Sequence, residues 1–279
     1  MKAIQTQIEN LAAGREPQDG EYRNPEDGLI YCKACHTPRQ IRIAMFGKES
    51  TPSVLCRCQQ EQQDREQPER KRQERMMWIE HLRTEGLQDK LLRDCTFQND
   101  LGYNPEISKA HAYAEHFEEL EVSSTGLLLW GNVGTGKTFI AGCIANALID
   151  RGIRVLMTNF AKLLNALTGM RPEERNAYID NLDFYRLLII DDLGMERGTE
   201  FAQEQVFHVI DNRYRSRKPI IVTTNLTLQE LKRPPDLARE RIYSRVLERC
   251  VPVKINGRNI RVEIAAEQLE IAKRILGTS

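Results

Sequence analysis

One run of eight residues combines glycines, a lysine and a threonine in a spacing that suits phosphate binding: Gly131, Asn132, Val133, Gly134, Thr135, Gly136, Lys137 and Thr138. In a loop of this pattern, backbone N–H groups and the start of the following helix converge on phosphate oxygens. We expect the ammonium of Lys137 to reach the β- and γ-phosphates and the hydroxyl of Thr138 to ligate Mg²⁺. The run therefore predicts a nucleoside triphosphate site, with a glycine-rich turn that binds no ligand as the alternative.

The segments on either side of this run have the composition that such a loop needs. Residues 126–130 form a short apolar run bounded by glycines, which predicts a buried strand. Residues 139–149 are rich in apolar side chains and are followed by Gly152, which predicts a helix with a C-terminal stop. The order strand, loop, helix is the context in which a phosphate-binding loop works.

A second apolar run, residues 187–190, is followed directly by Asp191 and Asp192. Four aliphatic residues predict a central parallel strand, and acids at its carboxyl end lie where ligands bind in open α/β sheets. We expect Asp191 to hold Mg²⁺ through water and Asp192 to orient and deprotonate an attacking water. The alternative is that both aspartates only cap a helix.

Asn225 follows a further predicted strand, residues 219–224. A polar residue at this strand tip in P-loop ATPases contacts the γ-phosphate or the attacking water, and we expect Asn225 to act as this sensor. The alternative is that Asn225 only ends the strand before a helix capped by Thr227.

Residues 239–249 contain five arginines. An arginine that reaches a neighbouring subunit's γ-phosphate is expected on this predicted helix, with Arg245 as the first candidate and Arg241 as the second. Arg261 is a candidate second sensor within its own subunit. The basic runs 213–218 and 239–249 are otherwise typical of a solvated face.

Four of the seven cysteines form two close pairs, Cys32 with Cys35 and Cys56 with Cys58. Zn²⁺ prefers four soft ligands in a tetrahedron, and a loop that joins two such pairs supplies them. The segment also has too few apolar residues to fold without a stabilising cross-link such as a bound metal ion. We therefore predict a structural zinc site, in which His36 could replace one thiolate.

Two alternatives to zinc remain open. Residues 32–36 match the haem c attachment pattern, which requires an exported protein, and the thiols could be unligated in a flexible tail. Cys95, Cys143 and Cys250 lie in or beside apolar segments and are expected in the core.

The bulk composition of the 279 residues, 41% hydrophobic with a net charge of zero, favours a soluble protein with a sizeable core. No run of 18 apolar residues is present, and residues 1–7 lack the apolar stretch of a signal peptide, so a cytoplasmic location without membrane contact is expected. Residues 105–121 and 200–214 are predicted helices. We expect a zinc-binding domain at 1–60, a charged helical linker at 61–94 and an ATPase domain at 95–279.

The chain resembles the bacterial helicase-loader branch of the AAA+ ATPases, the DnaC/DnaI type, and also the IstB-type ATPase partners of transposases. The segments that carry the resemblance are residues 131–138, LLIIDDLG at 187–194, DNRY at 211–214, PIIVTTN at 219–225, and Ser244 with Arg245. The resemblance implies an α/β fold, with a five-stranded parallel sheet between helices and a reduced or absent helical lid. It also implies ATP hydrolysis, expected to be slow because Asp192 occupies a position that is Glu in many AAA+ proteins.

The resemblance further implies partners. ATP bound between Lys137 of one subunit and Arg245 of the next would assemble a homo-oligomer that holds single-stranded DNA. A helical segment between Phe160 and Asn181, with Lys162, Arg171 and Arg175, is the expected DNA contact, unless these side chains form a solvated face. The N-terminal cysteine domain would bind a DnaB-type helicase hexamer.

Two other functions stay open at this point. One is a transposase-assisting ATPase that coats duplex target DNA; such proteins typically lack the cysteine domain. The other is a zinc-containing adaptor that uses ATP only as a switch.

Overall fold

A computed structural model describes residues 15–45, 48–194 and 199–277 of the chain. The chain divides into two compact units, Met1–Met76 and Met77–Ser279. Within the described residues, no helix is both long and apolar enough to cross a membrane. Residues 1–7, on which the expectation of no signal peptide depends, lie outside the described ranges.

The first unit consists of two short hairpins and the start of a long helix. Strands β1 (Glu21–Arg23) and β2 (Ile30–Cys32) pair antiparallel, as do β3 (Ile43–Met45) and β4 (Lys48–Ser50). Helix α1 (Arg57–Gly86) begins in this unit and ends in the second. Among the described residues of the first unit, Ile30, Cys32 and Cys56 are the buried apolar side chains. So small a core needs additional stabilisation, as the composition indicated.

The second unit is built on one sheet of five parallel strands: β5 (Gly126–Trp130), β6 (Val155–Asn159), β7 (Leu187–Leu193), β8 (Ile220–Thr224) and β9 (Cys250–Lys254). Their order in the sheet is β6-β7-β8-β5-β9. The helices after α1 are α2 (Lys90–Arg93), α3 (Ile107–Glu115), α4 (Phe117–Val122), α5 (Lys137–Asp150), α6 (Phe160–Thr168), α7 (Pro172–Asn181), α8 (Glu200–Arg215), α9 (Leu228–Lys232), α10 (Leu237–Arg249) and α11 (Ile260–Leu276). Single 3₁₀ turns occur at Phe97–Asn99 and Leu182–Phe184.

Helices cover both faces of the sheet. Leu127 and Leu129 of β5 pack on one face with α3 and α5, whereas Leu128 packs on the other face with α8 and α10. Neighbouring residues of a strand point to opposite faces, so a strand buried on both faces is apolar throughout. This explains the uninterrupted apolar runs, and it confirms the predicted α/β fold with a five-stranded parallel sheet between helices. The carboxyl ends of the strands meet at one edge, where the candidate site lies.

Two helix predictions need correction or refinement. The single helix predicted over 105–121 is wrong, because the chain breaks at His116 (φ −96°, ψ 22°) into α3 and α4. The charged run after Cys58 is helical, and Pro68 lies inside α1 without ending it. The last turns of α1 belong to the second unit: Leu82, and Leu87 directly after the helix, are buried in its core. The border between the compact units thus falls within α1, and the predicted domain limits at 60 and 94 stay predictions.

Candidate nucleotide site and cysteine cluster

The loop between β5 and α5 adopts a backbone shape that favours glycine. Gly131, Gly134 and Gly136 have φ values of 148°, 80° and 94°, in the left-handed region that L side chains rarely adopt. A Cβ atom on Gly131 would lie 2.3 Å from the carbonyl oxygen of Ile255, so the loop also passes too close to the end of β9 for any side chain. These constraints explain why the sequence carries glycine here.

A cavity of about 650 Å³ opens beside this loop. The volume falls within the roughly 300–1,000 Å³ typical of small-molecule sites. Polar groups of the loop line one part of it, and apolar side chains of Leu101, Tyr103, Ile107 and Ile260 line another. A nucleotide presents a matching combination, a charged phosphate chain and a flat base whose faces can pack against apolar side chains.

Lys137 lies at the start of α5 with its side chain buried inside the loop. Its ammonium donates hydrogen bonds to the carbonyl oxygens of Gly131 (2.9 Å) and Asn132 (2.7 Å) and to Oδ1 of Asn225 (2.8 Å). Burial lowers the pKa of Lys137, while the nearby carboxylates of Asp192 and Asp191 act in the opposite direction. Lys137 therefore connects the loop to the tip of β8.

Asp191 accepts hydrogen bonds from two hydroxyl groups. Thr138 Oγ1 lies 3.0 Å from both carboxylate oxygens, and Thr223 Oγ1 donates to Oδ1 at 2.6 Å. Burial raises the pKa of Asp191, and the Thr223 hydrogen bond counteracts that rise. Asp192 follows with a left-handed φ of 60° and lines the cavity. The structure therefore brings the loop, the two aspartates and Asn225 together.

The candidate arginines occupy different environments. Arg261 lines the cavity with an exposed side chain. Arg245 lies on α10 outside the cavity lining, where its Nε donates to Asp211 Oδ1 at 2.8 Å and its guanidinium lies 4.8 Å from the ring centre of Phe207. Arg241 is exposed on the same helix. Within one subunit, Arg245 is thus held against α8 rather than aimed at the nucleotide site.

The four paired cysteines converge in the first unit. The sulfur atoms of Cys32, Cys35, Cys56 and Cys58 all lie within 4.8 Å of one another. Two of the separations are 3.7 Å, between Cys32 and Cys58, and 3.2 Å, between Cys56 and Cys58. A tetrahedral zinc with bonds of about 2.3 Å requires sulfur separations of about 3.8 Å. The donor set and its spacing therefore fit Zn²⁺.

Local structure explains how the two pairs meet. Cys32 ends β2, and Cys58 lies in the first turn of α1. Thr37 joins these segments, because its Oγ1 lies 3.1 Å from the Cys35 sulfur and accepts from the backbone N–H of Arg57 at 2.9 Å. The Thr37 hydroxyl and the backbone of Cys58 lower the pKa of the Cys35 thiol, whereas the neighbouring sulfur atoms raise the pKa of Cys58. Zinc binding requires the thiolate form of its cysteine ligands. His36 lies outside this cluster, with its ring 6.0 Å from that of Tyr22.

Comparison with known proteins agrees with this geometry. The sequence profile of the family described as IstB-like ATP binding protein matches residues 53–267. The chain belongs to this family. Among curated relatives, Replicative helicase loader DnaC of Escherichia coli K12 is 28% identical over 166 residues, which are 56% of this chain and 64% of DnaC. The alignment thus spans less than two thirds of that relative.

Two further comparisons support the assignment. The uncharacterized protein YdaV of Escherichia coli K12 is 28% identical over 181 residues, which are 63% of this chain and 71% of YdaV. The crystal structure of DnaI superposes with a TM-score of 0.50 at 26% identity, covering 61% of this chain and 93% of DnaI. The resemblance to helicase loaders and IstB-type ATPases, and the P-loop AAA+ fold, are therefore confirmed.

Members of the IstB-like family bind ATP. ATP carries Mg²⁺, and the side-chain oxygen atoms beside the loop are suitable ligands for that ion. The Thr138 hydroxyl and the Asp191 carboxylate are in direct contact, and Mg²⁺ prefers such hard oxygen ligands. A bound Mg²⁺ would neutralise phosphate charge. Thr138 and Asp191 are the residues that would hold it.

Three polar residues with clear structural roles escaped the sequence analysis. Thr223 resembles an ordinary strand residue, and Asn104 lies in a loop, yet its side-chain amide donates to the carbonyls of Thr135 and Asn256. The prediction of a solvated face at 213–218 is wrong for Arg213, which is 2% exposed and donates to carbonyls of Tyr185, Arg186 and Pro219. Besides that basic run, the DNRY segment of the family resemblance included Arg213.

Proposed function

We propose that this protein is an ATP-dependent loader of a DnaB-type replicative helicase that also binds single-stranded DNA. The observation that carries the proposal is the similarity to the helicase loader DnaC, joined to the same fold in DnaI. The cysteine-bearing unit supports it, because Cys32 and Cys35 lie before the residues that the IstB-like profile matches, although Cys56 and Cys58 lie within them. In this proposal the first unit binds the helicase hexamer.

The side chains at the cavity have distinct roles in the proposed ATPase cycle. Lys137 and the loop N–H groups bind the phosphates, and Asn225 contacts the γ-phosphate or the attacking water. Asp192 accepts the proton of that water as its oxygen bonds to the γ-phosphorus and the bond to ADP breaks. Because Asp192 is one methylene shorter than glutamate, hydrolysis is slow. Arg261 contacts the nucleotide from the same subunit.

Oligomer formation in the ATP state completes the site. An arginine of α10 reaches the γ-phosphate of the adjacent subunit, with Arg245 as the first candidate and Arg241 as the second. Arg245 must leave Asp211 to do so, because the two side chains are paired at 2.8 Å. Formation of the subunit contact would then compete with a contact inside the subunit.

Single-stranded DNA binds to helices α6 and α7 in this proposal. Lys162 is exposed, Arg171 pairs with Glu174 at 2.6 Å, and the Arg175 guanidinium lies 5.3 Å from the ring centre of Phe201. These cations supply the charge that phosphate contacts need. Lys162→Ala should weaken single-stranded DNA binding and reduce its dependence on salt concentration.

Copurification with a DnaB-type hexamer tests the loader function. The zinc-loaded full chain, mixed with the helicase at micromolar concentration and ATP, should elute as a complex on size-exclusion chromatography. The double variant Cys32→Ser/Cys56→Ser should lose this complex, whereas Cys95→Ser, outside the cluster, should keep it. Absence of a complex for the parent chain, with and without ATP, would contradict the proposal.

The match to the IstB-like profile favours a second candidate, an ATPase that coats duplex target DNA for a transposase. This function predicts ATP-dependent binding to long duplexes that does not require the first unit. The first unit should be removed by truncation after Met76, because Leu82 and Leu87 lie in the core of the second unit. Duplex binding that survives this truncation, together with no helicase complex, would favour the second candidate.

The rate of ATP hydrolysis distinguishes an ATPase from a zinc-containing adaptor that uses ATP only as a switch. ATP hydrolysis by the parent is compared with that of Lys137→Ala and Asp192→Asn in the presence of DNA and helicase. Faster hydrolysis by the parent supports the ATPase. Equal rates for all three proteins would favour the adaptor.

A further inference from the structure

Two adjacent threonines, Thr223 and Thr224, end β8 with both side chains fully buried. Thr224 Oγ1 donates to the carbonyl oxygen of Leu193 at 2.7 Å and accepts from the N–H of Leu226 at 3.1 Å. Thr223 Oγ1 instead donates to the carboxylate of Asp191 at 2.6 Å and accepts from the N–H of Asp192 at 3.0 Å. One threonine therefore contacts only backbone groups, while its neighbour contacts both acidic residues.

The pairing of β7 with β8 explains why these hydroxyl groups are needed. Ile190 pairs with Val222, and the next pair is Leu193 with Thr224. Two residues of β7 therefore oppose one residue of β8, which is the pattern of a β-bulge. Bulges redirect side chains and are frequent beside active sites. In this bulge Asp192 has a φ of 60°, a conformation that non-glycine residues seldom adopt.

Thr223 provides a hydrogen-bond acceptor at the bulge, where the backbone pairing of β7 with β8 is interrupted. The N–H of Asp192 donates to the Thr223 hydroxyl, and the single proton of that hydroxyl goes to Asp191 Oδ1. The hydroxyl of Thr138 lies 3.0 Å from both oxygens of the same carboxylate. One buried hydroxyl thus contacts both the Asp191 carboxylate and the backbone of Asp192.

We propose that Thr223 is a positioning residue that holds the two acidic side chains of the nucleotide site as one unit, with Asp191 directed at Thr138 and Asp192 at the cavity. The inference rests on the proposed Mg²⁺–ATP function of this site. Partners that orient a metal ligand commonly matter by about 10–100-fold in metal affinity. Thr223 should therefore affect how strongly Mg²⁺ promotes nucleotide binding, beyond any effect on folding.

The test uses Thr223→Val, which replaces the hydroxyl with a methyl group of similar size. Thr224→Val is the matched control, because it makes the same change at an equally buried neighbour that contacts neither aspartate. Titration with a fluorescent ATP analogue gives the Kd with Mg²⁺ and with EDTA. The Kd in EDTA divided by the Kd with Mg²⁺ measures how strongly Mg²⁺ promotes binding. We expect this ratio to fall about tenfold in Thr223→Val, to stay at the parent value in Thr224→Val and to recover in Thr223→Ser.

Circular dichroism melting shows whether each variant is folded, and Thr223→Ala replaces Thr223→Val if the latter is not. A parental ratio in the folded Thr223 variant would overturn the inference, as would an equal fall in Thr224→Val. A parent chain that binds the analogue without any effect of Mg²⁺ would overturn the proposed Mg²⁺ site itself. Failure of the positioning role and failure of the proposed function are therefore distinguishable.

Discussion

The ammonium of Lys137 lies 2.8 Å from Oδ1 of Asn225, although the two residues are 88 positions apart. One belongs to the loop after β5 and the other follows β8, the strand paired beside it. Parallel pairing places both strand ends at the same edge of the sheet, so this contact follows from the topology. It places an amide next to the cation that is expected to bind the γ-phosphate.

Replacement of Asn225 should slow hydrolysis much more than it weakens nucleotide binding. Asn225→Ala removes a polar group from the γ-phosphate end while the loop N–H groups and Lys137 remain. We expect kcat to fall about 100-fold, by analogy with loss of one transition-state hydrogen bond, with little change in the Kd for ATP. Steady-state hydrolysis and ATP titration measure the two quantities.

Thr227→Ala is the control for this experiment. Thr227 caps α9 by accepting from the N–H of Glu230 at 3.3 Å, so its loss should cost about 1 kcal/mol of stability without affecting kcat. If Asn225 only ended the strand, both variants would keep the parental kcat. That outcome would remove Asn225 from the catalytic residues.

An alanine at Gly131 should abolish nucleotide binding, because the loop cannot keep its shape. The new Cβ would lie 2.3 Å from a backbone oxygen, and the φ of 148° is strained for alanine. Gly152→Ala is the control: φ is 85°, yet no heavy atom lies within 4 Å of its Cβ. We expect Gly152→Ala to lose about 1–2 kcal/mol of stability and to bind ATP normally. Retained ATP binding by Gly131→Ala would show that the loop shape is not required.

The sequence predicted those parts of the site whose signals are local. Glycine spacing, an apolar run and two acids each lie within about ten residues, so the loop and the Asp191 strand were identifiable. The order of the strands is not local. That β5 lies between β8 and β9 depends on packing of residues more than 90 positions apart, and no pattern in one segment encodes it.

Buried polar residues were the least predictable features. Arg213 and Thr223 have the same residue types as surface and strand residues elsewhere in the chain, and only their tertiary partners distinguish them. Arg213 donates to the carbonyl of Tyr185, just before β7, and to that of Pro219. A carboxylate oxygen of Asp183 lies 3.5 Å from its guanidinium. Arg213 is 2% exposed, and this burial lowers the pKa of its guanidinium to about 10. Such environments exist only after the sheet has formed.

The cysteine cluster should bind one zinc ion per chain. Four sulfur atoms within 4.8 Å would repel one another as thiolates, and Zn²⁺ offsets that repulsion. We expect Cys32→Ser or Cys56→Ser to lose the metal, as measured by elemental analysis of purified protein. Cys95→Ser and Cys143→Ser lie outside the cluster and should keep it. Zinc retained by Cys32→Ser, or lost equally by Cys95→Ser, would contradict the four-sulfur site.

Arg245 and Arg241 can be distinguished by mixing variants. Arg245→Ala and Lys137→Ala are each expected to hydrolyse ATP poorly. In a mixed oligomer, however, the intact loop of the first lies beside the intact arginine of the second, so activity should recover if Arg245 acts between subunits. A mixture of Arg241→Ala with Lys137→Ala tests whether Arg241 acts between subunits instead. Hydrolysis is measured for each protein alone and for the mixture at equal total concentration.

The ion pair with Asp211 requires a separate control, because loss of Arg245 also removes a contact within the subunit. Asp211→Asn weakens that pair, and also the 2.8 Å pair of Asp211 with Arg215 on α8, but it leaves Arg245 in place, so it should lower the melting temperature while hydrolysis persists. If Arg245 only joins α10 to α8, Asp211→Asn and Arg245→Ala will both destabilise the protein and mixing will restore nothing. Recovery in the Arg241→Ala mixture alone would assign the role to Arg241. Because Arg241 is exposed, a role for it between subunits would not require the Arg245–Asp211 pair to break.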